Sequence, residues 1–335
     1  MSDAADKPAT DTSTPRAPLP ALTMGEPAGI GPEIAVAAWR AGRRFLFVGD
    51  ASLLRGAPVR IVTSAAEATD DAIPVLNIPL AEQAVPGQLN PANAQAVIAA
   101  IETAVKLAVA GEVGAVVTNP IQKSVLTRAG FRHPGHTEFL AALTGAPMPV
   151  MMLACAGLRV VPITIHVSLR QAIALLDAEL ILRTARVTAA ALRRDWGIAN
   201  ARLAFTGLNP HAGEDGTMGD EEQRIIRPAI AALRAEGIEA LGPFPADTLF
   251  TPAARRGYDV ALGMYHDQVL TPIKTLDMHG GVNVTLGLPI VRTSPDHGTA
   301  LDIAGKGIAD AGSLVASLDL AADLAHRRAA TKIGA

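Results

Sequence analysis

One cysteine, Cys155, occurs in the 335 residues of the chain. A single thiol closes no intrachain disulfide and builds no cysteine-based zinc site. Aromatic residues make up only 3% of the sequence, so Ala, Val, Leu and Ile must fill the core, a mix that suits close layers of helix on sheet. Basic blocks are missing and the formal net charge is −3. That removes the main electrostatic driving force for nucleic-acid binding. No stretch approaches ~18 uninterrupted apolar residues, so no membrane span is expected. The N-terminus lacks the apolar segment of a secretion signal; residues 1–18 are mostly Ala, Asp, Ser, Thr and Pro and read as a disordered tail. A cytoplasmic location is the resulting expectation. The length allows one or two domains.

What is present is an alternation of short apolar runs with longer helical patterns. Residues 21–24, 45–48, 59–62, 115–118, 150–154, 160–165, 202–206, 260–264 and 282–286 are predicted strands. Most are apolar on both faces, as in a parallel sheet covered by helices on each side. Asn90-Pro91 opens a predicted helix that Gly111 follows, with Val97, Ile98, Ile101, Val105 and Ala108 as its apolar stripe. Ser168 is a predicted cap, and 178–195 form a long amphipathic helix ending near Gly197. The expected fold class is α/β.

Three of the eight histidines share one context. His166, His211 and His266 each lie just past the C-terminal end of a predicted strand, the edge where open α/β sheets bind ligands. Three imidazoles there can hold a catalytic metal while leaving coordination positions open. Zinc is the first expectation for nitrogen ligands, with cobalt or manganese also compatible. The competing reading is three unrelated polar loop residues. Asp247 and Asp267 lie in similar loops; either can orient a ligand or act as a base, and either can equally be a helix cap.

Two loops are rich in glycine. Residues 25–33 read Gly-Glu-Pro-Ala-Gly-Ile-Gly-Pro-Glu, and Asp50 follows the next strand where a ribose-binding acid would stand. A dinucleotide fingerprint is nonetheless disfavoured. Ile34 occupies the third glycine position, and Glu33 would repel a pyrophosphate at the helix N-terminus. A tight strand-to-helix turn, or a wall of the active cleft, is the better reading. The second loop, residues 297–310, contains His297, Gly298, Asp302, Gly305 and Gly307. It resembles the loop with which isocitrate and isopropylmalate dehydrogenases hold the adenosine end of NAD or NADP. Glycines let the backbone approach an adenine, and an acid can bond a ribose hydroxyl. Anion-binding candidates are Lys123, Lys274, Asn283, Arg292 and the helix start Gly135-His136-Thr137-Glu138. Singly, each is an ordinary surface or capping residue.

Taken together, the motifs from residue 25 onward resemble the 4-hydroxythreonine-4-phosphate dehydrogenase family. They are the loop from Gly25, Thr-Asn-Pro-Ile-Gln-Lys from Thr118, Pro-Gly-His-Thr-Glu-Phe from Pro134 and Gly-Leu-Asn-Pro-His-Ala-Gly-Glu from Gly207. Others are Gly-Pro-Phe-Pro-Ala-Asp-Thr-Leu-Phe from Gly242, Met-Tyr-His-Asp-Gln from Met264, Gly-Val-Asn-Val-Thr-Leu-Gly-Leu-Pro from Gly281 and Arg-Thr-Ser-Pro-Asp-His-Gly-Thr-Ala from Arg292. Departures are the long N-terminal tail and Gln122 beside Lys123.

The resemblance implies a two-domain α/β/α fold of the isocitrate/isopropylmalate dehydrogenase type, with the active site in the cleft at a homodimer interface. The implied units are a cofactor-side domain, 19–125 plus 285–335, and a dimerisation and metal-binding domain, 126–284. It implies a divalent metal (zinc, cobalt or magnesium) on His166, His211 and His266, shared between subunits, with His266 completing the site of the other chain. Substrate contacts are implied for His136, Thr137, Lys274, Asn283 and Arg292. The implied reaction is oxidation of a phosphorylated hydroxy amino acid by NAD or NADP, followed by decarboxylation, in vitamin B6 synthesis. Sister enzymes acting on phospho-threonate, phospho-erythronate or dihydrodiols are the near alternatives, and a phosphate acyltransferase of related fold is a remote one.

Overall fold

The computed structural model describes residues 18–133 and 135–333. All but Pro18 of the expected tail falls outside them. Each predicted strand is found, and three more join: β1 (Pro20–Thr23), β2 (Leu46–Gly49), β3 (Val59–Ile61), β4 (Ile73–Asn77), β5 (Ala115–Thr118), β6 (Val150–Cys155), β7 (Leu158–Thr164), β8 (Leu203–Thr206), β9 (Ala240–Phe244), β10 (Val260–Tyr265), β11 (Val282–Leu286) and β12 (Arg292–Pro295). They form one sheet in the order β3-β4-β2-β1-β5-β12-β11-β6-β7-β10-β8-β9. The helices are α1 (Gly31–Arg40), α2 (Ala94–Ala110), α3 (Lys123–Arg128), α4 (His136–Thr144), α5 (Leu169–Leu175), α6 (Ala178–Trp196), α7 (Arg227–Ala235), α8 (Ala246–Leu249), α9 (His266–Leu276) and α10 (Gly312–Ile333).

The expected parallel sheet is present on both flanks but not in the middle. Neighbours are parallel from β3 to β12 and again from β7 to β9. Between the flanks, β12–β11, β11–β6 and β6–β7 are antiparallel. The cause is local. Only Ala156 and Gly157 separate β6 from β7, and Gly157 sits at φ 80°, so the chain turns back as a two-residue hairpin.

Helix ends follow the sequence signals. Gly111 and Gly197 cap α2 and α6 in the left-handed conformation, and Ser168 forms a capping box with Gln171. The segment Pro91–Ala110 is long and apolar enough by composition to cross a membrane. Its stripe is instead spent inside the protein. Val97, Ile101 and Val105 are buried against the sheet, each burial contributing about 1.5–3 kcal/mol.

The strands that sequence patterning passed over are β4, β9 and β12. Pro74 and Pro243 interrupt the first two, and β9 tolerates its proline as an edge strand. β12 is polar and yet fully inside: Arg292, Thr293 and Ser294 are all buried. Thr293 Oγ1 satisfies itself by donating to the Ser317 carbonyl of α10 at 2.9 Å. A buried polar strand requires partners for every group, and the partners of Arg292 define the site.

Candidate active site

Arg292 on β12 stands directly opposite Thr285 on β11 and beside β5. Its guanidinium donates from Nη1 to Thr285 Oγ1 at 2.9 Å and from Nη2 to Thr118 Oγ1 at 2.7 Å. The buried Nε has no partner. Arg292 makes no ion pair among the described residues, and burial pulls its pKa down to about 10 although Glu138 opposes this. Close by, His136 opens α4, and its Nε2 is also shut away without a partner. Burial, then the charges of Arg292 and Lys123, hold the His136 pKa well below 6.5. Two buried nitrogen atoms without protein partners, and three cationic or potentially cationic groups close enough to act on one another, suit the binding of an anion. Asn283 shares the face of Thr285 on β11, opposite Ser294, and Thr137 lies in the first turn of α4. Lys274 on α9 is held by Asp296 at 2.7 Å.

The low pKa of His136 has a consequence for stability. The imidazole is neutral in the fold but protonates readily once unfolded, where its ordinary value is 6.5. The stability it contributes is therefore present above that value and is lost as pH falls below it. Melting temperatures should decline between about pH 7 and pH 5, and less steeply in His136→Asn. Equal slopes for the two proteins would show that the acid sensitivity arises elsewhere.

The three singled-out histidines all lie past the C-terminal ends of adjacent parallel strands, β7, β10 and β8, as their spacing predicts. Two of them meet. The rings of His166 and His266 have centroids 5.6 Å apart, beside a cavity of about 230 Å3 lined by Thr164, Leu169, Tyr265 and Asp267. Burial, then the charges of His266 and Lys123, lower the His166 pKa below its ordinary 6.5, with Glu138 opposing. Lys123 and Glu138 thus act on both the anion pocket and the imidazole pair. His211 is exposed, on a turn between β8 and α7. No group of three His, Cys, Asp or Glu side chains able to hold one ion occurs among the described residues.

The two acids separate in role. Asp267 Oδ1 lies 2.6 Å from His266 Nδ1, so it fixes a tautomer that leaves Nε2 free. Asp247 is exposed on α8, which packs against the segment 210–216 that carries His211.

The first glycine loop is a tight turn between β1 and α1, not a dinucleotide fingerprint. Asp50, the would-be ribose acid, is consumed by the backbone N–H groups of Ser52 at 2.8 Å and Leu80 at 2.7 Å. Glu33 holds the second loop, accepting from the backbone N–H of Gly305 at 2.8 Å and of Ala309 at 3.3 Å. The Ile30 N–H adds a bond to the Thr299 carbonyl at 3.0 Å. Between the loops lies a cavity of about 370 Å3, lined by Gly29, Pro32, Glu33, Pro86, Gly305 and Gly307. Asp302 is exposed; His297 Nδ1 contacts the Gly298 carbonyl at 3.0 Å, and its Nε2 is closed off without a partner.

Sequence reasoning missed Thr118 and Thr285 as partners of Arg292, and Glu138 as the charge shared by both halves of the site. A visible signal was hydroxyls at the ends of otherwise apolar strands.

A buried anion pocket, a neighbouring imidazole pair and a cleft between glycine loops define an α/β enzyme of small anionic molecules. More narrowly, the chain belongs to the family of the pyridoxal phosphate biosynthetic protein PdxA, whose model matches residues 41–321. The 4-hydroxythreonine-4-phosphate dehydrogenase of Caulobacter vibrioides is 54% identical over 325 residues, 92% of this chain and 98% of that protein. The crystal structure of the enzyme of that name from Klebsiella pneumoniae is 41% identical with a TM-score of 0.88, covering 93% of this chain and 99% of the other. A terephthalate 1,2-cis-dihydrodiol dehydrogenase from Burkholderia xenovorans has 34% identity and a TM-score of 0.65, over 92% and 98% of the two chains.

Proposed function

We propose that this chain oxidises 4-phosphooxy-L-threonine with NAD or NADP, in the synthesis of pyridoxal 5'-phosphate in the cytoplasm. The product is 2-amino-3-oxo-4-phosphooxybutanoate, a β-keto acid that loses CO2 to give 3-amino-2-oxopropyl phosphate. The observation that carries this reading is the buried pair Arg292 and His136, whose unpartnered nitrogen atoms suit a doubly anionic substrate. His136, Thr137, Lys274, Asn283 and Arg292 bind its phosphate and carboxylate. The dihydrodiol relative is less similar than the 4-hydroxythreonine-4-phosphate dehydrogenases, and a dihydrodiol would leave a phosphate pocket unfilled.

His166, His211 and His266 are the proposed ligands of a divalent ion, zinc first, cobalt or magnesium otherwise. The donors suit one: burial favours the neutral form of His166, and Asp267 on Nδ1 leaves His266 Nε2 free. When bound, such an ion supplies Lewis-acid stabilisation of negative charge on the substrate hydroxyl oxygen, while the nicotinamide accepts hydride. Only two of the ligands meet within one chain, so the set is completed in a homodimer that shares the site between subunits. Exposed apolar side chains flank each histidine segment: Val167 and Leu169 after His166, Met218 after His211, and Leu276 and Met278 at the end of α9. Such a surface is what a second copy of the chain would cover. The cleft beside His297, Gly298, Asp302, Gly305 and Gly307 is the proposed adenosine site. The division into units 19–125 plus 285–335 and 126–284 belongs to this reading; its boundaries fall inside α3 and β11.

The test is reduced-nicotinamide absorbance with 4-phosphooxy-L-threonine against phospho-erythronate, with each cofactor in turn. Turnover of the amino acid phosphate well above that of the erythronate is expected. A preference for phospho-erythronate would move the chain to a sister activity.

A further inference from the structure

Glu222 is buried, 1% exposed, and takes no part in the anion pocket or the imidazole pair. It opens the one-turn π-helix Glu222–Ile226, a distortion that recurs at functional sites. No cationic side chain pairs with it among the described residues. Its carboxylate is spent on backbone: Oε1 accepts from the N–H groups of Leu208 and Asn209, both at 2.8 Å, and Oε2 from Asn209 Nδ2 at 3.0 Å. The backbone wraps it closely on two sides. A Cβ at Gly207 would lie 2.9 Å from Oε1, and one at Gly213 would lie 2.6 Å from Oε2.

Between those two glycines runs the turn that carries His211. Residues 211–215 have φ of 52°, 52°, 79°, 39° and 54°, five left-handed residues in a row with glycine only at 213. Each non-glycine residue in that region costs about 1–2 kcal/mol, so the turn persists only where its surroundings dictate it. Glu222 bonds the residues just before this turn and packs against it at Gly213. Gln268 ties the same place to the neighbouring strand, donating to the Gly207 carbonyl at 2.7 Å and accepting from the Met264 N–H at 2.7 Å, two residues before His266.

We propose that Glu222 is a positioning residue, whose carboxylate shapes the left-handed turn and thereby presents the His211 imidazole to the divalent ion. This rests on the reading of His211 as a metal ligand. Partners of that kind change metal affinity by about 10–100-fold. In the full-length protein, Co2+ titration followed by visible absorption should show a loss of that size in E222A, together with an altered band shape. E222Q keeps an acceptor for the two backbone N–H groups but points an amide at Asn209 Nδ2, so its loss should be smaller but measurable. Metal-free melting curves of E222Q should stay near wild type, since shape and burial are kept. If E222A does not fold, E222Q decides alone. H211A is the control. Wild-type Co2+ affinity in H211A would remove the ligand reading itself. Weak binding in H211A with wild-type affinity in the glutamate variants would overturn the positioning role and leave the ligand intact.

Discussion

His211→Ala should lose its divalent metal and at least about 10^3-fold of turnover, while keeping its fold. Lewis-acid stabilisation of a developing oxyanion contributes several kcal/mol, and each 1.36 kcal/mol is a factor of ten in rate. The side chain is exposed on its turn, so truncating it removes no core contact and should cost stability only within about 0.5 kcal/mol. The pattern to look for is selective: metal content and rate collapse together, and the melting curve does not move. Chelation should take wild type to the same low rate. Added zinc or cobalt should restore wild type and not the variant. Full turnover by metal-free His211→Ala would end the metal assignment.

Arg292→Met should separate binding from stability. The guanidinium is buried, forked between Thr285 and Thr118, and lacks an ion-pair partner. Removing one side of a buried charge pair formed with bound substrate costs about 2–5 kcal/mol, so kcat/KM should fall by about 30- to 5000-fold. Without substrate the result should be different. Removing the unpaired buried charge favours the free fold, while the buried hydroxyls of Thr285 and Thr118 lose their donor at about 1–3 kcal/mol, so the free variant should melt close to wild type. Arg292→Lys should not rescue, because an ammonium cannot hold two hydroxyls in a planar fork and offer a third donor. An unchanged KM for the phosphorylated substrate in Arg292→Met would place the anion elsewhere.

The sequence made the flanks of the sheet readable because their strands are apolar and regularly spaced. It hid β12, since Arg-Thr-Ser-Pro carries no apolar signal; those groups are buried because Thr285 on the neighbouring strand, and Thr118 and Ser317 from distant segments, await them. The antiparallel centre was hidden for another reason. An apolar run shows that both faces are covered and says nothing of direction, which here depends on the short turn at Ala156 and Gly157. The position of the three histidines at one edge was legible from strand ends. The meeting of His166 with His266, and the distance of His211 from them, depend on turns whose left-handed backbone no pattern announces. Glu33 is the clearest reversal. Read as an obstacle to a phosphate at the α1 N-terminus, it serves to bind the other glycine loop.

That clasp has a thermodynamic consequence. Residues 297–310 contain three glycines, and a free loop of that composition would give up much conformational entropy when a ligand settles on it. Tied to Glu33 and Ile30, the loop has surrendered that entropy when the chain folds. Association of the proposed cofactor with this loop should then be calorimetrically quiet in its ordering component. Cutting the clasp with Glu33→Ala should make it entropically steeper.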